Sequence, residues 1–336
     1  MRDHWITADG ILIHAVTWDA PDADDRFGVS PGPRRSSADA KTLEGGERLL
    51  LIHGLGANTI TWEPVGPPLA AATGAAVTAI DLPGFGRTPL RDCGGSVGRQ
   101  GRLVTSLLEQ MGPATLVGNS MGGTVAVGVA ARRPDLVRGL VLVDPAVPRA
   151  ASWRESWVVS MRFSPLLVEW VGRLAIMARL RSLGPVGLVD SNLAWSVSDP
   201  SRVDPALRQR LIDLATERHG HPETVVAYAN AARSMIRYLW HQMPADLKAV
   251  RCPTLVVHGD LDRLVPLASV HALGELRPDF TIEILDEVGH APQLEVPDRF
   301  MDVVGPWLRD HSSRLASKTA ASGTSGDAEP MTPAAG

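Results

Sequence analysis

Six short, uninterrupted apolar runs recur along the chain: LLLIH from Leu49, AAVTAID from Ala75, ATLVGN from Ala114, GLVLVD from Gly139, PTLVVHG from Pro253 and FTIEILD from Phe280. Runs that are apolar on both faces predict strands covered by helices on both sides, the situation of a mostly parallel sheet. ILIHAVTW, from Ile11 to Trp18 and bounded by Asp9-Gly10, reads as a further, early strand. Helical periodicity lies between the runs, over 100–110, 121–133, 268–276 and 297–310. Alternating strand and helix predicts an α/β fold with right-handed crossovers.

One interval breaks the alternation. No convincing strand lies between Asp144 and Cys252, and five of the nine Trp fall there: Trp153, Trp157, Trp170, Trp195 and Trp240. The expectation is a helical lid over 146–249, inserted into a main domain made of 1–145 and 250–310. Within it Leu166, Leu167, Trp170, Val171, Leu174, Ala175 and Ala178 follow helical spacing, with Glu169 and Arg173 as an i,i+4 pair opposite them. That stripe predicts a helix packed on the main domain. The alternative is a helix lying on a membrane surface, since Arg162, Arg173, Arg179 and Arg181 accompany the same face. Residues 19–47 are dominated by Asp, Pro, Gly, Ser and Arg and read as a mobile insertion; 311–336 lack a periodic apolar face and read as a disordered tail.

Composition narrows the function classes. The 336 residues are 44% hydrophobic, with a mean hydropathy of +0.02, which excludes disorder as the main state. Lys and Arg number 33 against 37 Asp and Glu, a net charge of −4 without a basic block, so nucleic acid is not expected as a partner. Cys93 and Cys252 stand alone, outside any CxxC or Cys/His cluster, so neither a disulfide framework nor a metal site is expected. The N-terminus lacks the apolar core of a signal peptide, and no run approaches the ~20 residues of a membrane span. These features predict a cytoplasmic protein that acts on a small molecule and needs no cofactor; oligomeric state is not encoded legibly.

The sharpest local signal is Gly118-Asn119-Ser120-Met121-Gly122-Gly123, directly after the run ATLV and before a helical segment. G-x-S-x-G in that context places a serine on an abrupt strand-to-helix turn, where glycines are needed because a Cβ would collide with neighbouring chain. The helix beginning there aims free N–H groups and a positive dipole end at the serine. Neither G-x-G-x-x-G nor G-K-[ST] is present, so a nucleotide-binding turn does not account for it. A serine nucleophile needs a histidine base held by a carboxylate. His290 in Gly289-His290-Ala291-Pro292 and Asp262 in Gly259-Asp260-Leu261-Asp262-Arg263-Leu264-Val265-Pro266 both follow predicted strands, at the carboxyl edge where open sheets place their sites.

With these residues in the order Ser120, Asp262, His290, the chain resembles the α/β-hydrolase fold superfamily from about Leu49 to Leu308. The resemblance includes His53-Gly54-Leu55-Gly56 and Asp81-Leu82-Pro83-Gly84-Phe85-Gly86. It implies a serine hydrolase, with the backbone N–H groups of Leu55 and Met121 as oxyanion hole and His53 shaping that loop without transferring protons. It also selects Asp262, four residues before Pro266, over Asp260; Asp144 holds a strand end that supplies the acid in some relatives. Epoxide hydrolases and haloalkane dehalogenases of the superfamily use Asp at the elbow, which Ser120 argues against. Cleavage of an ester, thioester or lactone is the expectation.

GNSMGG is similar to the elbow of carbon–carbon bond hydrolases of ring-fission products, an alternative weakened by Ala291, where those enzymes carry Trp. A catalytically silent binding protein of the same fold would usually have lost a triad member; a cofactor-free haloperoxidase would use the same three residues. Asn119, Trp157 and Trp170 are expected to line a mainly apolar substrate pocket. His258 reads as a buried structural residue, His219 and His221 as solvated, and Trp62 as core.

Overall fold

A computed structural model describes residues 1–20, 48–90, 94–147 and 168–323, with 312–323 described by backbone alone. The strands are β1 Arg2–Ala8, β2 Ile11–Trp18, β3 Arg48–Ile52, β4 Ala76–Ile80, β5 Ala114–Asn119, β6 Val137–Val143, β7 Thr254–Gly259 and β8 Thr281–Leu285. They form one sheet in the order β1-β2-β4-β3-β5-β6-β7-β8. Pairings from β4 through β8 are parallel, and β1 and β2 are added antiparallel at one edge. The helices are α1 Gly66–Thr73, α2 Val97–Met111, α3 Met121–Arg132, α4 Glu169–Ser196, α5 Pro205–Glu217, α6 Pro222–His241, α7 Met243–Ala249, α8 Leu267–Leu276, α9 Pro292–Glu295 and α10 Pro297–Gly323.

The apolar runs form strands for the expected reason. Successive side chains of a strand point to opposite faces, so Leu50 and Ile52 of β3 join the core under α2 and α3, and Leu49 and Leu51 join the core under α1 and α10. Each fully buried aliphatic side chain of this kind contributes about 1.5–3 kcal/mol. β1 was not anticipated, because its charges obscure an alternating pattern of exposure. Asp9 and Gly10, with φ of 48° and 71°, form the two-residue turn that twists β1 back onto β2.

The described residues between β6 and β7 are mainly helical, as expected, over α4–α7. Residues of α4 and α5, among them Val189, Leu193, Leu207 and Leu211, build a third core that also takes in Ile60, Ala291 and Leu294. α4 is broken at Gly184 (φ 60°, ψ −177°) ahead of Pro185, so its first half folds back along its second. The stripe expected to pack on the main domain does not do so: Trp170, Leu174, Ala175 and Ala178 are exposed. Trp170, Leu174 and Ala178 lie away from the cavity that Ala175, Ile176, Met177 and Leu180 line.

Leu166, Leu167, Trp153, Trp157 and Cys93 lie outside the described residues, as does nearly all of 19–47. α10 continues to Gly323, past the expected start of a disordered tail at 311. His311 provides the reason for the first extra turn: its ring stacks on Trp307 and its Nε2 meets the Arg138 carbonyl at 2.8 Å. No helix among the described residues is long and apolar enough to cross a membrane.

Candidate active site

Ser120 sits between β5 and α3 with φ 53° and ψ −115°, a conformation that costs a non-glycine residue energy and persists only where its surroundings enforce it. The enforcement is steric. A Cβ on Gly122 would lie 2.1 Å from the Ile52 carbonyl oxygen, and one on Gly118 would lie 2.6 Å from the Gly122 backbone. The turn is pinned by Ser120 N–H donating to the Val143 carbonyl at 2.9 Å. Met121 opens α3, where first-turn N–H groups have no intrahelical partner.

Leu55 reaches the same place from the loop after β3, whose Gly54 approaches so closely that a Cβ there would be 3.3 Å from the Ser120 Cβ. That loop is held rigidly. His53 Nε2 accepts from Leu82 N–H at 3.0 Å and Nδ1 donates to the Gly54 carbonyl at 2.7 Å, so both ring nitrogens are engaged in structure. Burial pushes the His53 imidazole below its ordinary pKa. Asp81 ties the loops after β3 and β4 together by accepting from Thr59 N–H and Arg87 N–H and contacting His14 Nδ1 at 2.7 Å.

His290 and Asp262 meet as expected: Nδ1 donates to Oδ2 at 2.6 Å. Asp262 Oδ1 accepts from Leu264 N–H at 2.7 Å and Val265 N–H at 3.0 Å. Burial pushes this carboxyl up, but the charge of His290 and its hydrogen bond overcome that and hold it below the usual range. With Nδ1 engaged, Nε2 is the ring nitrogen left to exchange protons. Asp260 instead accepts from Val288 N–H at 3.2 Å and has no contact with His290.

Asp144 lies deeper, accepting from Gly259 N–H at 3.0 Å, with His258 Nδ1 3.1 Å away. Burial, then the Asp262 charge, pushes Asp144 well above the carboxylate range, and burial pushes His258 down to about 4. His258 Nε2 donates to the Val265 carbonyl, so Nδ1 is the ring nitrogen that faces Asp144. Asp144, His258 and Asp262 bring ligand-type atoms within 4.8 Å of one another, but three donors already occupy Asp262 and the arrangement is a hydrogen-bonded buttress behind His290.

Two further contacts position the histidine loop. Asn119 Nδ2 donates to the carbonyls of Val143 and His290, both at 3.1 Å. Glu295, its side chain fully buried, accepts from the N–H groups of Gly289, Ser198 and Asp199 and from the Ser198 hydroxyl. Glu295 escaped the sequence reading because nothing local distinguishes it from a helix-capping acid.

Ser120, His290, Asn119 and Leu55 line one cavity of about 1210 Å³ between the sheet edge and α4–α6. Trp170, expected in its wall, is 71% exposed and does not line it; Trp157 lies outside the described residues. Trp195, Trp240 and Tyr228 line it instead. Tyr228 fills the space where a Cβ on Gly56 would come within 2.9 Å. Trp62 is fully buried in the core, and His219 and His221 are exposed at the cavity rim.

The chain is 27% identical over 279 residues to a pimeloyl-[acyl-carrier protein] methyl ester esterase of Shewanella woodyi, covering 81% of this chain and 98% of the esterase. It is 28% identical over 273 residues to a 2-hydroxy-6-oxononadienedioate/2-hydroxy-6-oxononatrienedioate hydrolase of Burkholderia vietnamiensis, covering 80% and 89%. Its fold is similar to that of a bacterial membrane phospholipase A, with a TM-score of 0.69 at 24% identity, covering 92% and 86%. The alpha/beta hydrolase family model matches residues 49–303, from β3 to the first turns of α10 and thus the full span that carries Ser120, Asp262 and His290; the chain belongs to the alpha/beta hydrolase family.

Proposed function

We propose that this hydrolase cleaves an ester, thioester or lactone of a mainly apolar small molecule through an acyl-enzyme on Ser120. The observation that carries the reading is the strained Ser120 turn opening into the same cavity as His290, whose other ring nitrogen is bound to Asp262. Ser120 Oγ attacks the acyl carbonyl and His290 Nε2 takes its proton; the backbone N–H groups of Leu55 and Met121 receive the developing oxyanion. His290 returns the proton to the departing alcohol or thiol. It then takes a proton from water, whose oxygen attacks the acyl-enzyme, and gives that proton to the departing Ser120 Oγ as the acid is released.

A fluorophosphonate probe is expected to label the protein at Ser120, and Ser120→Ala is expected to lower kcat on the order of 10⁶-fold. Equal labelling of the variant would overturn the assignment. The second reading, carbon–carbon bond hydrolysis, is favoured by similarity to hydrolases such as that of Burkholderia vietnamiensis and by Asn119 at the elbow. p-Nitrophenyl esters of graded length assayed beside a vinylogous 1,5-diketone separate the two.

A further inference from the structure

The cavity over Ser120 is apolar through most of its wall, yet its charged lining has a single sign. Among the described residues it is lined by Arg173, Arg179, Arg181 and Arg218 and by no Asp or Glu. Acids are not scarce nearby. In the same helical segment Arg208 pairs with Asp190 at 2.6 Å, Arg210 with Glu63 at 2.7 Å and Arg202 with Glu295 at 3.4 Å. Those pairs lie outside the cavity; of the cations in its wall, Arg218 has Glu223 at 3.9 Å, whereas the side-chain partners of Arg179 among the described residues are all neutral.

Arg179 is the cation best prepared to receive a ligand. The break at Gly184 folds α4 back, so Arg179 meets residues that would lie roughly 18 Å away along a straight helix. Its Nη2 donates to Ser191 Oγ at 2.8 Å and Asn192 Oδ1 at 3.2 Å. Both partners are neutral, so they orient the guanidinium without compensating its charge. Three N–H donors remain, one on Nε and two on Nη1. Arg218 differs, because its N–H groups are committed to the Gly84 and Gly86 carbonyls and to Thr224. A partly buried, oriented guanidinium in an apolar cavity favours an oxyanion, since an uncompensated charge there is costly and charge-assisted hydrogen bonds to arginine are strong.

We propose that Arg179 forms a subsite for an oxyanion group, a carboxylate or a phosphate, at the end of an apolar substrate; the inference rests on reading this cavity as the substrate site. It narrows the substrate class from apolar esters to esters or thioesters of apolar acids that carry a second, anionic terminus. Arg181, on the same helix and exposed, adds a second positive charge at the rim.

The test is direct binding by calorimetry of octanoate, octyl phosphate and 1-octanol, which share one tail, to the wild type and to Arg179→Gln and Arg179→Lys. One of the anions is expected to bind wild type about 10- to 100-fold more tightly than octanol. That gap is expected to fall at least 10-fold in Arg179→Gln, to survive in part in Arg179→Lys, and to narrow in wild type as salt is raised. The favoured anion distinguishes carboxylate from phosphate. Equal affinity of wild type for all three probes overturns the subsite, as does a gap that persists in Arg179→Gln. Because binding is read without turnover, a protein that binds the anion as expected but is not labelled at Ser120 refutes the hydrolase chemistry and leaves the subsite standing.

Discussion

Removing the Glu295 carboxylate should uncouple the helical insertion from the histidine loop, and the cost follows from its hydrogen bonds. Three backbone N–H groups end on it at 2.8–3.0 Å, those of Gly289, Ser198 and Asp199. Gly289 directly precedes His290, and Ser198 and Asp199 lie just past Val197, the residue that caps α4. A buried donor left without a partner costs ~1–3 kcal/mol. Glu295→Ala orphans all three and is expected to cost about 3 kcal/mol or more on that basis. The Arg202 contact adds little, because its side chain is 36% exposed and such pairs are worth ~0–1 kcal/mol. Glu295→Gln keeps one oxygen for Gly289 and Ser198 and turns an NH2 toward the Asp199 N–H, so about one donor's worth, ~1–3 kcal/mol, is lost. At roughly 1–2 °C per kcal/mol for a chain of 336 residues, the alanine variant should melt about 3–6 °C below wild type and the glutamine variant less than that. Urea unfolding checks the energies, and ester hydrolysis checks that kcat falls more than KM rises as His290 loses its anchor. If both variants unfold within about 1 kcal/mol of wild type, the three amides are satisfied in some other way and the coupling is refuted.

The Asp262→Asn variant is expected to lose about 10⁴ in kcat and stay folded, because an amide stabilises the wrong imidazole tautomer, with Asp260→Asn near wild type; steady-state kinetics on a p-nitrophenyl ester decides between them. His258 gives a pH signature. Its folded pKa of about 4 lies below the unfolded 6.5, so its contribution is complete above pH 6.5 and is lost as pH falls toward 4. That amounts to about 3 kcal/mol across the window, whereas Asp144, whose pKa is raised, has the opposite sign and loses its contribution as pH rises. Urea midpoints at pH 4.5 and 7 should therefore differ more in wild type than in His258→Asn, and an unchanged difference would remove His258 from the account. Trp195→Ala should reorder kcat/KM across acyl chain lengths by ~1–3 kcal/mol per mismatched methylene, and Trp170→Ala should leave the order as it is.

What was legible in the sequence was what depends on near neighbours. The Ser120 turn is enforced by glycines two positions either side, and the parallel strands announce themselves because both faces are covered. Asp262 was identified through its place before Pro266, a matter of order along the chain. The cavity wall was not legible, because its composition depends on how α4 folds back at Gly184. Periodicity identified a stripe through Trp170 and Leu174 but carried no information about what that stripe would face. Glu295 was missed, and Arg179 was read only as a cation beside that stripe, for the same reason: their partners Gly289 and Ser191 become neighbours only after long-range packing.

The order of the strands also fixes when activity can first exist during synthesis. β5 and the Ser120 turn need only β3 and β6 beside them, all of which leave the ribosome early. Asp262 and His290 arrive after the whole helical insertion, and Asn119 and His290, which bond to each other, are 171 residues apart. At ~5–20 residues per second, that separation is roughly 10–30 s of translation. During that time the elbow can be formed with no base to activate it and no lid core to cover it. A nascent chain stalled before β7 would thus carry a serine with neither base nor acid beside it, and hydrolysis would be the last property the molecule acquires.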